Sequence, residues 1–175
     1  MNYLKPLNKL GMKNILVILL TFLTVSCCHN KEGETIAPEE SGFYIIAKCN
    51  NQDWKGDVAI MSKLIPDTLL IWGSVEAQGI GVDELEMRVK FKGVGSYEMT
   101  TGQVSLRNVV GGDGVMGVFE LARGESVKLE VTRYDSTSQI MEGKFEGILR
   151  KRHGDVDLPE SLSFVSGRFR GKMDQ

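Results

Sequence analysis

From Glu84 to Lys92 the chain alternates without a fault. Leu85, Met87, Val89 and Phe91 are apolar, and Glu84, Glu86, Arg88, Lys90 and Lys92 between them are charged. Successive side chains of an extended strand point to opposite faces, so such a segment has one dry face and one wet face. On a helix the same four apolar residues would scatter around the circumference. The pattern therefore predicts a strand with Leu85, Met87, Val89 and Phe91 buried together, as part of a sheet with one solvated face.

The rest of the second half repeats this signal. Ser126–Tyr134 alternates through Val127, Leu129 and Val131, and Met141, Gly143, Phe145, Gly147 and Leu149 share one face of a long strand. Further strands are expected at Phe43–Lys48, Trp54–Ile60, Thr68–Val75, Tyr97–Met99, Val115–Leu121 and Leu162–Arg170. Between them lie turn residues: Asn50-Asn51, Pro66-Asp67, Gly79-Ile80-Gly81, Gly93-Val94-Gly95, Gly111-Gly112-Asp113-Gly114 and Asp135-Ser136-Thr137-Ser138. Asparagine and glycine tolerate the positive φ that tight hairpins demand. No stretch after residue 42 carries a capped 3.6-residue apolar pattern. The expected fold is all-β: an antiparallel sandwich or partly closed barrel of about eight to nine strands over residues 43–175.

The N-terminus reads differently. Lys5, Lys9 and Lys13 precede an apolar run, Ile15–Val25, which stops at Ser26 and Cys27. A basic start, a short apolar stretch and a small-residue stop make a secretory signal, here residues 1–26. The run is too short to cross a hydrocarbon core of roughly 30 Å as a helix. Met12-Lys13 completes a basic start alone, so Met12 is an alternative first residue. Thr24-Val25-Ser26-Cys27 resembles a bacterial lipobox, although Thr24 stands where leucine is usual. The resemblance implies cleavage before Cys27 and a diacylglycerol on its sulfur. The implied address is the outer membrane of a bacterial envelope, facing the periplasm or the cell surface. Residues 27–42 are polar and without periodicity, as expected of a flexible tether.

Removing residues 1–26 takes away three lysines and no acid. That leaves eighteen Lys and Arg against 23 Asp and Glu, a net charge near −5. A mildly acidic envelope protein is a poor match for nucleic acid, and Arg150-Lys151-Arg152 is too short a basic run to change that. Cys28 and Cys49 would share a compartment that permits disulfides. Cys49, within a strand pattern, reads more simply as a small apolar residue.

With the strands placed, the chain resembles small lipoproteins of Bacteroidota whose domain families carry no assigned activity. The shared skeleton is a lipobox, an acidic tether, a strand ending in alanine, an Asn-Gly-type turn and a tryptophan. Here those are Phe43, Ala47, Asn50-Asn51 and Trp54, with Asn51 where glycine is usual. A Gly-x-Phe-x-Gly-x-Leu strand follows, Gly143–Leu149, and then a Gly-x-Phe strand, Gly167-Arg168-Phe169. The resemblance implies an antiparallel β-domain on a lipid anchor, and no chemistry.

The residues themselves carry no recognised catalytic string. There is no His-Glu-x-x-His, Gly-x-Ser-x-Gly, phosphate-binding Gly-Lys-Ser/Thr or Cys-x-x-Cys. Only His29 and His153 are histidines, and His29 falls in the tether. His153-Gly154-Asp155-Val156-Asp157 offers an imidazole and two carboxylates, but not at a recognised metal spacing. No cofactor is implied. The expected binding surfaces are Trp54 and the turn-rich segments Gly102–Gly114 and Lys151–Glu160, which contain Asp113, His153 and Asp155. The leading expectation is an anchored envelope protein that binds or scaffolds a protein or glycan without catalysis. Two rivals are a glycan-acting hydrolase with a carboxylate pair and a lipocalin-like carrier of a small apolar ligand.

Overall fold

The computed structural model describes residues 42–65, 67–76, 81–112 and 114–174. The signal segment, Cys27, the tether as far as residue 41, and Asp113 lie outside the described residues. The described residues contain no helix. Ten strands run in order: β1 (Tyr44–Cys49), β2 (Gln52–Ile65), β3 (Thr68–Glu76), β4 (Val82–Val89), β5 (Gly95–Met99), β6 (Val104–Val110), β7 (Gly114–Glu120), β8 (Val127–Asp135), β9 (Ile140–Gly154) and β10 (Ser161–Asp174).

All ten belong to one sheet whose hydrogen bonding closes on itself. The ring runs from β2 through β3, β4, β6, β7 and β9 to β10, and returns to β2 both through β1 and directly. β8 lies along the first half of β9 and carries β5 on its outer edge. Every pairing is antiparallel except one. The end of β10 runs parallel to β2 at Met173↔Ile60 and Asp174↔Met61. The fold class is therefore the expected one, with ten strands instead of eight or nine.

The additional strand is β6. Glycines at both ends make Gly102–Gly114 look turn-rich, yet its middle is paired to β4 and β7 along its length. Its alternation is hidden because the third inward position after Val104 and Leu106 is polar, Asn108.

Inward side chains from every strand fill the ring. Ile45, Ile71, Met87, Leu106, Phe119 and Met141 are fully buried or nearly so. Each large apolar side chain removed from water contributes roughly 1.5–3 kcal/mol, so this filling dominates the stability of the domain. The outward face of β4, β6, β7 and the far end of β9 is charged and paired across strands, with Arg107 2.8 Å from Glu84 and Arg152 2.6 Å from Glu120. Such exposed pairs are worth about 0–1 kcal/mol each and keep this face wet.

The Gly-x-Phe strings explain how β9 and β10 pack. They face each other so that Gly143 lies opposite Phe169, Phe145 opposite Gly167, and Gly147 opposite Phe164. A Cβ at Gly143 would come within 2.5 Å of the Phe169 ring, and one at Gly167 within 2.8 Å of the Phe145 ring. The rings of Phe169 and Phe145 thus lie over the glycines of the neighbouring strand, which lets rings as large as phenylalanine alternate inside a narrow ring, while Gly147 makes room for Val127 of β8. Phe164 in turn meets Trp54 edge-on, with centroids 5.3 Å apart.

Two local details set the ends of the ring. Asn50 and Asn51 have φ of 48° and 67° and join Cys49 to its partner Gln52, as a type I′ hairpin requires. Asn50 also donates its side-chain N–H to the Ser161 carbonyl at 3.0 Å and accepts from the Ser163 N–H at 2.9 Å, which ties this turn to β10. At the other end the alternating strand stops sooner than its pattern predicts. β4 ends at Val89, and Phe91 lies beyond it, half-buried against Tyr97 and Tyr134. The chain turns there because the Lys92 N–H bonds the Tyr97 hydroxyl at 3.0 Å and Gly93 adopts φ 104°.

Candidate functional site

The polar chemistry inside the ring gathers at the end where β1 stops, β4 starts and β6 stops. Leu85, Met87 and Val89 point inward from β4, so by alternation Asp83 does too. An acid on the inward face must find donors, because an unpaired charge there is costly. Two reach it. The Trp54 indole N–H donates to Asp83 Oδ2 at 3.2 Å, and the Asn108 amide donates to Oδ1 at 2.8 Å. Both donors are buried, Trp54 at 5% exposure and Asn108 at 7%.

Cys49 completes the group from the end of β1. Its thiol is pushed up to about 12, first by burial and then by the negative charge of Asp83. A thiol so shifted stays protonated at neutral pH and is a poor nucleophile and a poor metal ligand. Cys49 forms no disulfide with any described residue. No group of three or more His, Cys, Asp or Glu suited to a metal ion occurs among the described residues.

The loop after β9 covers the neighbouring part of this end. Asn108 is paired with Gly117 on β7, and Gly117 with Gly154 on β9. Leu158 lies over both glycines, so close that a Cβ on Gly117 would meet its Cδ1 at 2.4 Å. Lys151 fastens the loop from beneath. Its side chain is 12% exposed, and its ammonium donates to the Leu158 carbonyl at 3.0 Å and pairs with Glu160 at 2.7 Å. The Asp155 N–H bonds the Met116 carbonyl at 3.0 Å.

The residues singled out from sequence separate accordingly. Trp54 is not a surface platform: it is a core residue that holds Asp83. His153 and Asp155 are exposed at the end of β9 and the start of the loop. The Gly102–Gly114 segment is mostly strand, so the only long described loop of the expected pair is the one following Gly154. Asp83 and Asn108 are the residues that sequence reasoning missed, whereas Cys49, read there as a small apolar residue, is free and packs against the core. The available signal was a polar residue in an inward register position, visible only once β4 and β6 are known to pair.

Comparison of the chain with protein-family models, with curated proteins and with solved structures finds no match. What the residues define is an all-β domain, with a filled ring and a partnered acid at one end.

Proposed function

We propose that this protein is a lipid-anchored envelope protein whose β-domain binds or scaffolds a partner and does not turn it over. The observation that carries the reading is the state of the interior. Phe119, Phe145, Phe169 and their neighbours occupy the ring, and both oxygens of Asp83 are engaged by Trp54 and Asn108. Small barrels filled by side chains do not carry an apolar ligand inside, which disfavours the lipocalin-like reading. A partner then has the outer surface and the loops. β1 begins at Tyr44 beside Arg170 and Glu142, far along β9 from the loop after Gly154. That loop, with His153 and Asp155, lies at the other end of β9 from the point where the chain enters the sheet.

The test has two parts on the native protein. Mass spectrometry of the N-terminal peptide should find acyl chains on Cys27, and Cys27→Ser should leave the membrane fraction. An unacylated Cys27 refutes the anchor. A screen of glycan and ester substrates should show no turnover. Turnover abolished by replacing one carboxylate, Asp83 included, refutes the non-catalytic reading in favour of the hydrolase.

A further inference from the structure

Three successive outward positions of β10, Arg168, Arg170 and Lys172, are cationic, before the acidic Asp174 ends the strand. Phe164, Gly167, Phe169 and Gly171 face the interior or are buried, and between them Arg168, Arg170 and Lys172 point out. The seam widens across the neighbouring strands. Lys144 of β9 lies directly opposite Arg168, and Arg133 of β8 lies opposite Glu142, the partner of Arg170. Cations set opposite one another across a ladder are unfavourable by themselves. Acids are present but fewer. Glu142 serves both Arg133 at 3.7 Å and Arg170 at 3.4 Å, Glu130 is paired to Lys144 in register, Asp135 closes β8, and Asp174 ends β10.

One further feature marks this face. Tyr44 is paired with Arg170, so the chain enters the sheet directly alongside the seam. Aromatic residues beside cations are the composition of surfaces that sit at a headgroup layer, with the ring in the apolar boundary and the charge on the phosphates.

We propose that the β10 seam, Arg168, Arg170 and Lys172 with Tyr44, is the face that this domain lays against an anionic bilayer. The orientation rests on the lipid-anchor reading; the affinity of the seam for anionic headgroups does not. The mature chain is acidic overall, near −5, so it is steered by this one face while the rest of its charge is repelled.

The test uses the mature chain, residues 27–175, made without acyl groups, and vesicles of phosphatidylcholine with or without one-third phosphatidylglycerol. Sedimentation should show binding to the anionic vesicles only, weakening as salt is raised. Arg168→Gln with Lys172→Gln, both at exposed positions, should weaken binding about fivefold for each charge removed, as follows from roughly 1 kcal/mol per basic residue near such a surface. Arg88→Gln with Arg107→Gln, on the outward face of β4 and β6 across the ring from β10, should leave binding unchanged. Absence of binding to anionic vesicles, or equal loss in both double variants, overturns the proposal. Circular dichroism of each variant checks that the strand spectrum is retained. Acylation of Cys27 is read separately by mass spectrometry, so the seam and the anchor can fail independently.

Discussion

Asp83→Ala tests the account of the inward polar group most directly. In the native protein the carboxylate accepts from Trp54 at 3.2 Å and from Asn108 at 2.8 Å. Removing it strands two donors that are more than nine-tenths buried. Each stranded donor costs about 1–3 kcal/mol. Asp83 itself is only partly buried, so water entering the vacated space should rescue part of that, most easily for Asn108 near the end of the ring. A loss of about 3 kcal/mol is expected. Asp83→Asn should cost less, about 1–2 kcal/mol, because its oxygen can serve one donor while its NH₂ opposes the other. Urea unfolding of the mature chain measures both, with the m-value confirming that the denatured state is unchanged. A double-mutant cycle with Asn108→Ala should give a coupling of about 1 kcal/mol. An opposite outcome is physically conceivable, since removing a desolvated charge can stabilise a protein. If Asp83→Ala lies within about 0.5 kcal/mol of the native protein, or is more stable, Asp83 is not a satisfied structural acid. It would then be a strained group kept for another purpose.

Three further outcomes follow from the packing and the titration. Gly167→Ala should destabilise by about 2–3 kcal/mol in urea, the range of overpacked cores, because its Cβ would meet the Phe145 carbonyl at 2.5 Å as well as the ring. Phe91→Ala should cost about 2 kcal/mol, less than the 3–5 of a fully buried phenylalanine, since it lies past the end of β4 and is only half-covered, while exposed Lys90→Ala should be near neutral. The Cys49 thiol is raised in the folded state from 9.0 to about 12, so the folded protein binds this proton more tightly than the unfolded chain. Its contribution is complete below pH 9 and is lost as pH rises toward 12, so a thermal unfolding series should show an alkaline decline that Cys49→Ala removes; an identical decline in the variant refutes it.

The all-β class, most of the strands and the Asn50-Asn51 hairpin were legible along the chain because they are local. Period-two alternation in Glu84–Lys92 and Ser126–Tyr134 follows from the geometry of one strand, and positive φ at paired asparagines follows from one turn. The limits of those segments were less legible, because ends are set by neighbours. β4 stops at Val89 because Tyr97, on another strand, captures the Lys92 N–H. The interior acid was not legible at all. In the sequence Asp83 is one of 23 acids, and Asn108 interrupts an alternation and so disguises the strand that holds it. Only antiparallel pairing of β4 with β6 sets Asp83 opposite Asn108, and only closure of the ring through β1 and β2 brings Trp54 and Cys49 to the same carboxylate. The Gly-x-Phe strings divide in the same way. Each marks a strand by itself, but that Phe145 lies over Gly167 and Phe169 over Gly143 is a matter of register between strands. Register is set by the whole ring, since a slip of one residue would turn every one of those rings to the solvent.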